Sequence, residues 1–332
     1  MIKIKDVALA AGVSTATVSR VMANKPHVRE EIRERVLAVV DQLGYRPNLV
    51  ARNLREQKSK IIGLIVSDIQ NPFFRYISRS VEDIAHKNGF SVILCNNDED
   101  PMKEKMYLQL MQDQNIAGII LSPTRQAVSK FDKITKLNIP MVVIDRRIHD
   151  VEVDNIFIDN ASSSYKATRH LVDNGYQRIG GIFGKESITG QERYDGYINA
   201  LKDSSIKPHS ELVKFVAPRE ETGYQATLKL LQLVNKPDAL FTSNSLLAAG
   251  ALRAIQEMHL AIPEQIALTT FDDTSWARLV TPPLTVIDQP AYEMGQTATE
   301  LLLQRLDNPS RSTREIILKG NLIIRQSSGF SR

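Results

Sequence analysis

Two hydrophobic rhythms divide this chain, and they meet near Lys60. Before that point helical patterns alternate with short polar joints: Asp6 to Ala11 ends at Gly12, a second stretch runs from Thr15 to about Ala23, and a third from Glu30 to Leu43. Beyond it come compact apolar runs, "IIGLIVS" (61–67), "FSVILCN" (90–96), "GIILS" (118–122) and "MVVID" (141–145), typical of strands buried on both faces. Helix-length amphipathic stretches lie near 73–88, 102–115 and 126–137, which makes a βαβ series. The series repeats with "RIGGIFG" (178–184), "LVKFV" (212–216), "ALFTS" (239–243) and "IALTTF" (266–271). Two doubly wound parallel sheets of similar size are expected, each covered by helices. An extended "PPLTVIDQP" (282–290), a helix near 291–306 and "GNLIIRQ" (320–326) would carry the chain between the lobes and back.

The expected organisation is a helical module over 1–47, a joint over 48–60 and a core over 61–332. One lobe of the core takes about 61–159 and 291–318, the other about 161–288 and 321–332. Doubly wound lobes bind ligands beyond the carboxyl ends of their strands. That rule singles out Asn71, the pair Asp145-Arg146, Asn244 and the pair Asp272-Asp273.

Composition adds limits. With 42% hydrophobic and 24% charged residues in 332, the chain is an ordinary globular protein of two or three domains. The longest uncharged stretch, Ala239 to Leu252, contains Thr-Ser-Asn-Ser and falls short of a membrane span. No apolar h-region with a cleavage site follows Met1, so a cytoplasmic protein is expected. The single cysteine, Cys95, reads as a buried core thiol. Net charge is only +4, but residues 1–60 carry twelve basic side chains against six acidic ones, leaving the remainder slightly acidic. A basic module on a mildly acidic body points to a polyanion at the small end.

In that module a glycine turn joins two short helices, the form of a helix-turn-helix. Ser14 is placed to cap the second helix, on which Val18, Val21 and Met22 turn inward. Thr15, Ala16, Ser19 and Arg20 are left outside beside Thr17, with the short hydroxyl and methyl groups and the forked donor that suit base edges and phosphates. A three-helix bundle that docks protein is the plainer alternative. Next comes "YRPNLVARNLREQKSK" (45–60), where Pro47 opens a helix of about two turns that is too short to persist alone in water. Asn48, Ala51, Arg52, Leu54 and Arg55 lie on it, and paired Leu54 side chains in a dimer suit a wedge into a minor groove; a linker with a solvated basic face is the alternative.

From "IKDVALAAGVSTATVSRVMANKPHV" through "SKIIGLIVSDIQNPFF", "VVIDRR", "HLVDNGYQRIGGIFG", "ERYDGY", "ALFTSN" and "TTFDDTSWARLVTPPLTVIDQP", the chain resembles the lactose/galactose repressor family over essentially its whole length. The resemblance implies an N-terminal three-helix DNA-binding domain with a hinge helix, followed by a two-lobed core like a periplasmic binding protein. It also implies a homodimer on a palindromic operator, controlled by a small metabolite. The residues matching Thr15, Ala16 and Arg20 would read major-groove bases, and Leu54 would kink the central step. A sugar offers hydroxyls that both donate and accept, so its site needs Asp as acceptor, Arg as forked donor, Asn or Gln for both, and aromatic rings for its apolar face. By the same likeness Asp145, Arg146, Arg193, Asn244, Asp272 and Gln289 become the effector residues, with Asn71, Phe73 and Phe74 beside them and Trp276 either over the mouth or in packing. Pro218-Arg219 stands where many relatives have an aromatic residue, and Asn244-Ser245 replaces an Asn-Asp pair. The effector class therefore stays open among neutral sugars, sugar acids and sugar phosphates, with a non-sugar metabolite or a partner protein as the alternative.

Enzymatic alternatives lack their chemistry. "IFGKES" misses the Ser/Thr and glycine spacing of a phosphate loop, no GxSxG elbow occurs, and the six histidines form no metal motif, so neither metal nor cofactor is expected. A transport-type binding protein fits the core but has no need of the basic module. The end "RQSSGFSR" has no heptads, which favours a dimer over a tetramer.

Overall fold

The computed structural model describes residues 2–22, 25–45, 59–125, 134, 137–148 and 151–329. The chain divides into two compact units, residues 1–59 and 60–332.

The first unit holds α1 (Ile4–Ala10), α2 (Thr15–Met22) and α3 (Glu30–Leu43). Gly12 at φ +61° and Gly44 at φ +60° take the left-handed turns that end α1 and α3, where a Cβ would be strained. The Ser14 hydroxyl accepts the Thr17 N–H at 3.1 Å and so caps α2. Val7, Ala8, Ala11, Val18, Val21 and Val36 form the buried centre on which the three helices meet.

The second unit is built on two six-stranded sheets with the same strand plan. The first contains β1 (Ile61–Val66), β2 (Ser91–Asn96), β3 (Gly118–Leu121), β4 (Met141–Ile144), β5 (Asp154–Ile158) and β11 (Glu315–Leu318). Their order is β11-β5-β4-β3-β1-β2, parallel throughout. The second contains β6 (Ile179–Gly184), β7 (Val213–Val216), β8 (Ala239–Thr242), β9 (Ala267–Phe271), β10 (Thr285–Asp288) and β12 (Asn321–Ile323), in the order β12-β10-β9-β8-β6-β7. Here β12 runs antiparallel to β10, so the expectation of purely parallel sheets holds only for the first lobe. The chain crosses from β11 in the first sheet through Lys319 and Gly320 to β12 in the second, which joins as an antiparallel edge strand.

Helices α4 (Pro72–Lys87), α5 (Pro101–Asp113) and α11 (Ala291–Asp307) cover the first sheet. The second carries α6 (Asn160–Asp173), α7 (Ile188–Asp203), α8 (Glu220–Leu231), α9 (Ser245–Glu257) and the short α10 (Ser275–Leu279). Backbone contact is so close between α6 and α7 that a Cβ on Gly196 would lie 2.1 Å from the Ala161 carbonyl oxygen. Only glycine fits there, and that approach brings Asn160 and Arg193 together across the two helices. The chain passes between the sheets three times, after β5, after β10 and after β11.

Two sequence expectations change. β2 is an edge strand, not one buried on both faces: Ile93 and Leu94 are exposed, Leu94 at 48%, while Cys95 is buried and burial pushes its thiol pKa up. β5 and β11 were not among the expected strands, because Asp154 and Asn155 interrupt the apolar signal of one and polar positions flank the other. The buried Asp154 carboxylate is held by Arg305 at 2.7 Å and Arg311 at 2.6 Å. The expected helix near 126–137 lies almost wholly outside the described residues.

Candidate functional site

On α2 the 3.6-residue period separates two faces. Val18 and Val21 are buried, while Thr15, Ala16, Ser19 and Arg20 are exposed along one side. Thr17 is half-buried and its hydroxyl lies 2.9 Å from that of Ser14, so both belong to the cap as well as to the helix entrance. The outer face thus carries hydroxyls, one methyl and one guanidinium. Asn48, Ala51, Arg52, Leu54 and Arg55 lie outside the described residues.

Between the two sheets of the second unit is a cleft lined from both sides. An inner recess of about 80 Å³ opens on an outer space of about 1160 Å³, and the two share Ser67, Asp68, Glu99, Ser187 and Pro218. Asn71, Phe73, Phe74, Asp145, Arg146, Arg193, Asn244 and Gln289 all line the recess. Asn71 caps α4 by accepting the Phe73 N–H at 3.0 Å, which turns the edge-to-face Phe73–Phe74 pair toward the recess. Asn244 does the same for α9, accepting the Leu247 N–H at 2.8 Å.

The lobes repeat one another here. Asp145 follows β4 and Asp272 follows β9, and each has a left-handed backbone, φ +72° and +76°. Their N–H groups donate to Ile156 and Ile287 at 2.9 and 2.8 Å, one strand over in each lobe. Non-glycine residues seldom take this conformation, and strain of this sort concentrates at functional positions. The two carboxylates then differ in surroundings. Asp272 accepts the Ser245 N–H at 3.0 Å and the Gln289 amide, so it sits behind the recess wall and does not line it. Among the described residues Asp145 has only the Ser122 hydroxyl at 3.4 Å and Arg146 Nε at 3.6 Å. Burial raises its pKa, against the lowering pull of Arg146 and Arg193.

Arg193 is buried with every arm engaged: Nε on Asn160 Oδ1 at 2.8 Å, one terminal nitrogen on the Ser243 carbonyl at 2.5 Å and the other on Gln289 Oε1 at 3.0 Å. Its guanidinium lies 3.8 Å over the Phe271 ring. Burial pulls its pKa down, opposed by Asp272, Asp145 and Glu192. Asn160 and Gln289 stand at two of the passages between lobes, so this one side chain joins the recess to both. Trp276 packs half-buried against the core of the second lobe and lines neither space.

The sequence reading missed Asp68, Glu99 and Ser243. Asp68 and Ser243 lie just past β1 and β8, so the strand-end rule reaches them once extended to every strand. Glu99 lies in the acidic loop after β2, where a run of like charges reads as solvated surface. Among the described residues no group of three or more His, Cys, Asp or Glu is arranged to hold a metal, and no helix is long and apolar enough to cross a membrane.

Residues 3–48 match the family model described as bacterial regulatory proteins, lacI family, and residues 168–328 match that of the periplasmic binding protein-like domain. A ribose operon repressor of Halalkalibacterium halodurans is 33% identical over 329 residues, 99% of this chain and 97% of that protein. The lac repressor dimer bound to operator and the anti-inducer ONPF superposes with a TM-score of 0.87 at 27% identity, covering 99% of each chain. A LacI family regulator from Enterococcus faecium with bound ribose gives 0.74 at 29% identity, covering 81% of this chain and 98% of its own. The family model falls on the capped helices of the first unit and the likeness runs on through the whole two-lobed core: the chain is a DNA-binding transcription regulator of the lacI family.

Proposed function

We propose that this regulator is a repressor that binds a palindromic operator as a homodimer and is controlled by a sugar or sugar derivative held between its lobes. Each subunit sets Thr15, Ala16 and Arg20 against major-groove bases, with Ser14, Thr17 and Ser19 on nearby phosphates, while Asn48, Ala51, Arg52, Leu54 and Arg55 form the hinge at the minor groove. The observation that carries the effector half is the convergence of Asp145, Arg193, Asn244 and Gln289, from both lobes and a passage between them, on one recess beside two phenylalanine rings. An acceptor, amides and an apolar wall together match a hydroxylated ring. The ribose operon repressor and the ribose-bound regulator among the similar proteins support the same class. Arg193 gives a route for control: a ligand that touches it also touches the hydrogen bonds of Asn160 and Gln289 at two passages, and so biases the angle between lobes. Domain limits at 1–47, 48–60 and 61–332, a cytoplasmic setting and the absence of catalysis complete the reading.

An apolar strip supports the dimer. Met102, Met106 and Leu110 are exposed at successive turns of α5, Met102 at 73%, and the edge strand β2 exposes Ile93 and Leu94 in the same lobe. The test of the whole reading is a thermal-shift screen of sugars followed by an operator-retention assay with each hit. Ligands specific to the native state raise Tm with concentration. A hit that also changes operator retention supports the reading; stabilising sugars that leave retention unchanged remove the control mechanism.

A further inference from the structure

Arg146 is 3% exposed in the wall of the recess, where a guanidinium would ordinarily be the anchor for a carboxylate or phosphate. Here it is already occupied by the protein. Both terminal nitrogens donate to the two oxygens of Glu99, one of them at 2.9 Å, and one also donates to the Pro123 carbonyl. The other reaches the Ser67 hydroxyl at 3.3 Å, and Nε faces Asp145 at 3.6 Å. Glu99 is held in place by its own loop. Asp98 and Glu99 both have left-handed backbones, φ +53° and +59°, the Glu99 N–H donates to Asn97 Oδ1 at 3.0 Å, and Asp98 pairs with Lys103 at 2.5 Å.

The rest of the recess has the same sign. Its charged lining is Asp68, Glu99 and Asp145 against Arg146 and Arg193, and all three arms of Arg193 are engaged within the protein. Arg125, Lys185 and Arg219 stand at the outer mouth, exposed and screened by solvent. Arg219 faces Asp68 and Asp98, whose carboxylates feel its charge, and Lys185 lies 3.6 Å from Glu186. The recess offers an incoming molecule the acceptors Asp68 and Asp145 and the NH₂ groups of Asn71 and Asn244, whose amide oxygens are committed to helix caps.

We propose that Glu99 is a specificity residue that closes this recess to anions, so that the effector is a neutral polyhydroxyl compound and not a sugar acid or sugar phosphate. The proposal rests on the reading of the recess as the effector site. An anionic ligand would have to displace Glu99 from Arg146 and leave that carboxylate stranded beside its own charge; a neutral sugar displaces nothing.

The test is a thermal-shift and calorimetric comparison of the full chain and Glu99→Gln against matched sets: ribose, ribonate and ribose 5-phosphate, then glucose, gluconate and glucose 6-phosphate, and inorganic phosphate alone. The wild type is expected to prefer a neutral member at least tenfold over its charged partners and to show no phosphate effect that Glu99→Gln lacks. Glu99→Gln uncovers the guanidinium, so it should reduce that preference tenfold or more and gain a saturable response to phosphate. Glu99→Asp keeps the charge and should keep the wild-type preference. Phosphate binding at the basic N-terminal unit is common to all three proteins and cancels in the comparison. A wild type that prefers the acid or phosphate, or a Glu99→Gln protein that responds to phosphate as the wild type does, overturns the proposal. If no sugar of either charge acts, the sugar reading of the cleft fails by itself, and the phosphate comparison still decides what Glu99 does.

Discussion

Asp145 and Asp272 hold the same place in their lobes, yet only Asp145 lines the recess and keeps a carboxylate oxygen with no hydrogen bond among the described residues. Asp272 is committed to Ser245 and Gln289, whereas Asp145 has two long polar contacts. Hydrogen bonds to a charged group contribute about 1.5–3 kcal/mol, so Asp145→Asn should weaken effector binding roughly ten- to hundredfold by calorimetry. The pH dependence has a definite sign. Burial holds the pKa of Asp145 above its usual 3.8, and hydroxyl donors prefer the ionised form. Effector affinity should fall as acidification crosses that raised value, and this part of the fall should be absent in Asp145→Asn. For the unliganded fold the contribution is opposite: a carboxyl with a raised folded pKa adds stability that is fully present below 3.8 and is lost as pH rises through the raised value. Asp145 was legible because an aspartate directly after "MVVI" stands out against the strand. Glu99 was not, since its meaning depends on Arg146, 47 positions away, and on two left-handed residues that no local pattern announces.

At the scale of elements, the parts with an uninterrupted apolar signal were the readable ones. The α3 limits follow directly from its periodicity and from Gly44, and the Ser14 cap of α2 was visible in "GVSTAT". Losing such a cap costs about 1 kcal/mol, so Ser14→Ala should destabilise the first unit by that amount in denaturant titration and weaken operator binding with it. Strands whose burial is offset by ion pairs or left open at an edge escaped the pattern. Asp154 in β5 is buried because Arg305 and Arg311 meet it, and both come from more than 150 positions later in the chain. In β2 the apolar run "VILC" reads as core, but only Cys95 is buried, because hydrophobic sequence alone does not distinguish an interior strand from an exposed edge.

For the whole molecule, the proposed dimer closes over that exposed strip. A glutamate at Met106, the middle of the α5 row, places a charge where an apolar partner face would close over it. If the proposed dimer uses this strip, Met106→Glu should give a folded monomer in sedimentation, with Tm lowered only by the lost association, and should reduce affinity for a palindromic site far more than for a single half-site. The two-sheet plan itself was legible from the repeated βαβ series, whereas the antiparallel direction of β12 depended on the short crossing from β11 in the other sheet.

The three passages between the lobes also constrain how the protein is made. Neither sheet has all its strands until residues 315–323 have been made: β11, the outer neighbour of β5, and β12, the outer neighbour of β10, both follow the long helix α11. Until they arrive the buried strands β5 and β10 are left as open edges, the usual template for aggregation. A premature stop after Asp307 would therefore yield not a one-lobed protein but two unfinished ones. Such a chain should be found in the insoluble fraction on expression, although it keeps every residue of the recess. A frameshift after Asp307 would remove the regulator as completely as one in its first unit.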